Sequence, residues 1–360
     1  MKIKELFCTF AFTIFLLTSC NGQNDSKTSF EKEAVRVVEQ VGNENIKHQK
    51  ELIEGISFSN GVREVVEWFD YETPLMQEYN PKRVKSIIEY NNLLEDFNSI
   101  DNLKALHLNF SSNGKEGDII DLKGIENLQR LEYLELTNIE TVPTNLYELK
   151  NLRVLICSFA ELDSINGLTK LKKLEHLELK FSDDVLPNSI TELNNLKTLR
   201  LNNFSKNQPF NEIYKLTNLE TLWLKYSDST QLKGISKLSN LKTFVSNMVS
   251  SELSDVKSLR GLIIFNNNDL DYPNSLGKLK QLVAFKLQTN YEIVTAPEFV
   301  SNLENLEYIE IRGCSKLTDI PSSYNHLKNL KRFDIYYNKS FNEMPNNLED
   351  ILSVIDLKTH

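Results

Sequence analysis

The chain of 360 residues is poor in glycine (12) and proline (9), which excludes collagen-like and proline-rich low-complexity structure. Histidine is scarce as well. The five residues, at positions 48, 107, 176, 326 and 360, form no H-x-x-x-H and no Cys/His spacing that could hold a metal. A glycine-rich phosphate loop, a nucleophile with its base and a recognisable pair of catalytic carboxylates are also missing, so no cofactor or catalytic motif is legible. Positive charge is in deficit: 41 Lys plus Arg stand against 50 Asp plus Glu, a net charge of −9. A chain of that sign repels a phosphate backbone, which argues against nucleic acid as a partner. What remains is 40% hydrophobic, 25% charged and 9% aromatic, a balance that supports a sizeable core rather than disorder.

Long apolar runs are rare too. The one at the N-terminus, Leu6 to Leu17, is 12 residues long and follows Lys2 and Lys4; it is too short for a membrane span and has the length of a signal-peptide core. It ends in Leu17-Thr18-Ser19-Cys20, which resembles the lipobox of bacterial lipoproteins. The resemblance implies cleavage of residues 1–19 as a signal peptide and lipidation of Cys20, and two or three acyl chains anchor stably where one is marginal. Residues 20–29 read as a flexible tether, since Asn21 to Ser29 carry no apolar side chain. The expected location is the bacterial cell envelope, lipid-anchored to a membrane. Asn21 is not the Asp that resembles an inner-membrane retention signal, which points to the outer membrane, while the leaflet is left open.

From Leu103 onward one phrase recurs: leucine, two variable residues, an apolar, one variable, another apolar. It runs LKALHL at 103, LEYLEL at 131, LRVLIC at 152, LEHLEL at 174, LKTLRL at 196, LETLWL at 219 and LKTFVS at 241. LRGLII at 259, LVAFKL at 282, LEYIEI at 306, LKRFDI at 330 and LSVIDL at 352 complete twelve copies. Alternation within each copy predicts a short strand whose apolar side chains point one way and whose variable residues point the other. Periods in the twenties with L-x-x-L-x-L resemble the leucine-rich-repeat family over residues 102–360. The resemblance implies an α/β repeat fold: a curved solenoid with a parallel β-sheet on its concave face and loops or 3-10 turns on its convex face.

The convex return contains Pro143, Pro187, Pro209, Pro273, Pro297, Pro321 or Pro345 in many repeats, which suits turns that do not need the missing N–H. Proline-containing returns resemble Ras-suppressor and plant-resistance repeats, while DLKGIENLQRLEYLEL and SINGLTKLKKLEHLEL look like the shorter phosphatase-regulator type. At the ninth position, where the family places Asn or Cys to satisfy turn backbone, stand Asn267, Asn290, Cys314 and Asn338. Earlier repeats carry Ser111, Ile139, Ala160, Ser182, Phe204, Ser227 and Val249 there, so less regular turns are expected. Cys8 would leave with the signal. Cys157 and Cys314 lie seven rungs apart, about 34 Å at ~4.8 Å per strand, beyond disulfide reach, and read as buried structural thiols.

Residues 30–101 read as an N-terminal cap, mostly helical. Thr28-Ser29-Phe30-Glu31 resembles a capping box, and Phe30, Ala34, Val37, Val38 and Val41 fall at helical spacing. Val62, Val65, Val66 and Phe69 do so too. Yet Val62, Val84 and Leu103 are nearly one repeat apart, so helices and decayed repeats both remain open. Either would shield the first rung. At the far end, Asp356, Lys358 and His360 suit an exposed edge strand.

The fifth position of each phrase should face outward on the concave sheet. In order it reads His107, Glu135, Ile156, Glu178, Arg200, Trp223, Val245, Ile263, Lys286, Glu310, Asp334 and Asp356. His107 and His176 are expected as isolated, solvated surface histidines. Charge brackets an apolar middle, and water-facing strand positions have no packing reason to hold Trp, Val and Ile in succession. The candidate partner-binding surface is therefore Arg200, Trp223, Tyr226, Val245, Ile263, Phe265 and Lys286. The expected function is a non-enzymatic module binding a protein or peptide through this face, with Arg200 and Lys286 setting orientation. The alternative is a structural or self-associating envelope spacer without a soluble ligand. No cofactor or metal is expected, and the oligomeric state is left open.

Overall fold

A computed structural model describes residues 105–109, 124–137, 142–158, 167–180, 188–202, 210–225, 232–266, 272–341 and 348–358. The predicted signal peptide, the tether with Cys20 and the cap at 30–101 lie outside these residues, as do Tyr226, Asn267 and His360. Within them, every copy of the repeated phrase forms a strand. The strands are Ala105–Asn109 (β1), Tyr133–Thr137 (β2), Val154–Ser158 (β3), His176–Lys180 (β4), Thr198–Asn202 (β5) and Thr221–Leu224 (β6). They continue as Thr243–Ser246 (β7), Gly261–Phe265 (β8), Ala284–Gln288 (β9), Tyr308–Arg312 (β10), Arg332–Tyr336 (β11) and Ile355–Lys358 (β12).

These twelve described strands make one sheet in strict sequence order, and the pairings between them are parallel. Parallel neighbours need a crossover, and a repeat of some twenty residues leaves room only for a short one. The described crossovers are 3-10 turns such as Thr144–Glu148, Ser251–Asp255 and Glu298–Asn302. Two sequence types of return are visible. Pro143, Pro273, Pro297 and Pro321 each immediately precede a turn, where the fixed proline φ is preorganised and no N–H is required. Gly124 and Gly234 occupy the same place with φ of 97° and 94°, a left-handed conformation that costs glycine nothing.

The core lies between sheet and turns. Leucines at the first, fourth and sixth phrase positions, such as Leu174, Leu177 and Leu179, are buried, and so are turn residues such as Leu146, Leu253 and Leu276. No rung could bury these residues alone, so stability arises from stacking neighbours. Cys157 belongs to this core and Cys314 sits in a buried turn; both are free thiols. Burial pushes both thiols upward, Cys314 to about 12, so they are protonated and unreactive at neutral pH.

The ninth-position ladder is present at each site within the described residues. Asn338 accepts from the Cys314 N–H at 2.7 Å and donates to the Ile311 carbonyl at 2.9 Å. Asn290 donates to the Gln288 carbonyl at 2.8 Å. One residue earlier, Asn266, Thr289, Gly313 and Tyr337 all have positive φ, from 47° to 66°, so these four consecutive turns share one left-handed hinge. The preceding repeat solves the turn differently: Val249 packs into the core, and the Ser246 hydroxyl accepts from the Met248 N–H at 3.1 Å.

A second ladder went unread in the sequence. The residue just before the first leucine of the phrase reaches back one rung: Asn151 to the Gln129 carbonyl, Asn195 to that of Lys172, Asn218 to Asn194 and Asn240 to Thr217. Asn305 and Asn329 continue it to Lys280 and Glu304. Each donates at 2.7–2.9 Å, capping turn carbonyls that would otherwise lack a partner. The signal was present as the recurring Asn-Leu pair.

Candidate functional site

The fifth-position residues form one unbroken row. Pairing registers Glu135 with Ile156, Glu178, Arg200, Trp223, Val245, Ile263, Lys286, Glu310 and Asp334 in turn, with His107 and Asp356 at the ends. Because strand side chains alternate, the third position shares this face. It supplies Tyr133, Val154, His176, Thr198, Thr221, Thr243, Gly261, Ala284, Tyr308 and Arg332. The sequence reading stopped at the fifth position and overlooked this second row.

The apolar middle is an organised surface. The rings of Trp223 and Phe265 stack 5.3 Å apart and within 11° of parallel, and the Arg200 guanidinium lies 4.8 Å from the centre of the Trp223 ring. Val245 fills the one rung between, and Ile263 shares β8 with Phe265. Beside them Thr198, Thr221 and Thr243 set a line of hydroxyls, and Gly261 and Ala284 leave the third-position row without bulk. Of the expected site residues, Arg200, Trp223, Val245, Ile263, Phe265 and Lys286 are thus brought to one face.

Their environment differs from expectation. They were expected to face water, yet Trp223 is 7%, Val245 4%, Ile263 1% and Phe265 8% exposed. His176 is likewise buried rather than solvated, and neither ring nitrogen has a hydrogen-bond partner. Burial lowers its pKa to about 4, Glu178 opposing and Arg200 reinforcing the shift, so the ring is neutral at pH 7.

The charges on this face are paired across rungs. Glu178 receives the Arg200 Nη1 and the Lys180 Nζ, each at 3.2 Å; burial alone would raise its pKa, but the surrounding cations hold it below the usual carboxylate range. Lys286 Nζ lies 3.2 Å from Glu310, both fully buried. Glu310 also accepts from Gln288 at 2.8 Å and from the Tyr308 hydroxyl at 2.9 Å. That hydroxyl stands 3.1 Å from Asp334, which Arg332 holds at 2.7 Å. Burial raises Asp334 despite Arg332. Lys286 is therefore part of a buried ionic cluster, not the solvent-facing orienting charge the sequence suggested, and an interior pair of this kind tends to fix geometry more than it adds stability.

Among the described residues, no group of three or more His, Cys, Asp and Glu is placed to hold a metal ion, and no helix is long and apolar enough to cross a membrane. What the face can do chemically is bury apolar groups, with hydroxyls alongside.

Comparison with known proteins bears on the scaffold. Residues 83–245 match the family model described as a leucine-rich repeat region. The match starts inside the stretch left open between helices and decayed repeats. No curated protein matches the chain. Similar solved structures include a leucine-rich-repeat protein of Leptospira interrogans, 19% identical over 73% of this chain and 92% of that one, TM-score 0.44. Another is an internalin of Listeria monocytogenes, 20% identical over 73% and 88%, TM-score 0.45. A third is a plant peptide hormone receptor in complex with RGF2, 20% identical over 71% and 54%, TM-score 0.37. By the sequence match over 83–245 and by the stacked parallel rungs themselves, the chain carries a leucine-rich-repeat domain.

Proposed function

We propose that this protein is a non-enzymatic recognition module that takes an extended polypeptide segment of another protein on its concave sheet. The observation that carries the reading is the strip Trp223, Val245, Ile263 and Phe265, which occupies three successive rungs on the face opposite the leucine core. The leucine core is complete without stacked aromatics on the opposite strand face, whereas aromatic anchors dominate recognition surfaces. The strip and its flanking rungs β5 and β9 span about 19 Å at ~4.8 Å per strand, the length of about six extended residues. The Thr243 hydroxyl, which lacks a hydrogen-bond partner, suits the backbone of such a ligand. Replacing Trp223→Ala and Ile263→Ser together tests this: partner recovery from envelope extract should be lost, and unchanged recovery would count against the surface.

We further propose that the module is held at the bacterial cell envelope, at the outer membrane, by lipid on Cys20 after removal of residues 1–19. Support comes from the sequence alone, from Lys2 and Lys4, the apolar run Leu6 to Leu17 and the Leu-Thr-Ser-Cys that ends it. Cys20→Ala should move the protein out of the detergent phase or leave its leader uncut; a detergent-phase, processed variant would contradict the anchor.

A further inference from the structure

A cavity of about 390 Å³ opens where the chain leaves β9 for the next convex turn, between Tyr272 of one repeat and residues 292–299 of the following one. It lies across the sheet from the concave row, because Ile293, Ala296 and Phe299 line it and also belong to the leucine core. Its floor is aromatic: the Tyr272 and Phe299 rings stand 6.1 Å apart, and Phe285 braces Phe299 edge-on at 5.7 Å. One wall is held from behind by the next repeat. The Val294 carbonyl accepts from the Thr318 N–H at 2.9 Å, and the Ala296 N–H donates to the Asp319 carbonyl at 3.0 Å, so that Thr295 and Asp319 form a parallel bridge. Alternation along an extended chain then turns the N–H and C=O of Thr295 itself away from Asp319, to the cavity side. The lip is apolar as well. Among the described residues the exposed large apolar side chains are Tyr291, Val294 and Tyr337, and the first two, 49% and 52% exposed, belong to this loop.

We propose that this cavity takes a lysine or arginine side chain from an extended basic segment of a partner protein, forming a binding site separate from the concave sheet. Charge complementarity selects the occupant. The lining holds two carboxylates, Glu292 and Glu298, and no cation. Lys316 reaches Glu292 from the next repeat, but both side chains are at least half exposed, and an ion pair of that kind is worth little. Glu298 accepts from the Ser323 hydroxyl at 2.6 Å, a neutral donor that leaves its charge in place. A long cationic side chain satisfies both parts of the site: its methylene stem covers Ile293, Val294 and the Tyr272 ring, while its head stays at the carboxylates of the mouth. An acidic side chain meets like charge there, and a neutral one forgoes the attraction. The Thr295 N–H and C=O offer the flanking backbone a place to pair, as when a peptide adds to a strand. The volume falls within the roughly 300–1,000 Å³ of ligand cavities, enough for one such side chain with part of its backbone. Because the cavity and the concave strip lie on opposite sides of the sheet, either can bind while the other does not.

The test titrates the full-length chain, methyl-labelled at isoleucine and valine, with the capped peptides acetyl-Val-X-Val-amide in which X is lysine, arginine, norleucine or glutamate. The lysine and arginine peptides should shift the Ile293 and Val294 methyl signals saturably. Norleucine, which keeps the stem and lacks the charge, should bind several-fold more weakly, and glutamate should not bind. Glu292→Gln with Glu298→Gln should bring the lysine peptide down to the norleucine level. Val294→Lys, a change at an exposed position, puts a cation into the cavity and should abolish binding as read at Ile293. Trp223→Ala should leave the titration unchanged, which separates this site from the concave strip. Equal binding of lysine and norleucine, binding that survives the charge variants or is lost in Trp223→Ala, or no saturable shift at millimolar peptide would overturn the proposal.

Discussion

Trp223 and Phe265 stack nearly parallel, with ring centres 5.3 Å apart, although they sit two rungs from each other on the sheet. The contact bridges over the smaller Val245 and ties β6 to β8 on the side of the sheet away from the leucine core. Aromatic pairs of this geometry contribute about 0.5–1.5 kcal/mol beyond the area they bury. A double-mutant cycle with Trp223→Leu and Phe265→Leu, read by urea unfolding, should return a coupling in that range, and purely additive losses would show that the rings do not interact.

His176 makes stability depend on pH. Its folded pKa of about 4 lies below the value of 6.5 for an unperturbed ring. Between those values the unfolded chain binds a proton that the folded chain refuses, so stability falls as pH drops through the window and is fully present above it. The shift corresponds to about 3 kcal/mol. The stability difference between the native chain and His176→Phe should therefore change by up to that amount between pH 7 and pH 4. A difference that stays constant with pH would mean that the ring titrates normally.

Removing Asn338 should cost more than a surface asparagine. Its amide satisfies both the Cys314 N–H and the Ile311 carbonyl in a buried turn, and each group left unpaired costs about 1–3 kcal/mol. Asn338→Ala should lower the unfolding free energy by several kcal/mol, against a few tenths for exposed Asn127→Ala. Equal losses in urea titrations would indicate that water replaces the ladder.

Lys286 and Glu310 form a fully buried pair. Lys286→Met alone strands a buried carboxylate and should destabilise by about 3–5 kcal/mol, whereas Lys286→Met with Glu310→Leu should recover much of the loss. The pairing account fails if the double variant is as unstable as the sum of the singles.

Most of the scaffold was legible because one physical constraint repeats twelve times. A rung that hides leucines only behind its neighbours must keep the same spacing, so strand positions, register and the outward row follow from counting. The Asn338 and Asn290 ladder was legible for the same reason. The state of the outward row was not. Sequence alternation fixes which face a side chain takes but says nothing about what lies above that face, so His176 and the Trp223 strip were read as solvated when they are buried. The ionic cluster around Glu310 was missed because its members, Tyr308, Gln288, Lys286, Asp334 and Arg332, come from three repeats and from three columns of the phrase.

The most direct test of recognition through the concave face places one photo-crosslinker at Val245 on that face and, in a separate variant, one at exposed Lys278 on a convex turn, with irradiation of intact cells. The account predicts that a discrete partner protein is captured from position 245 and not from 278. Capture from 278 alone, or the same products from both positions, would contradict it.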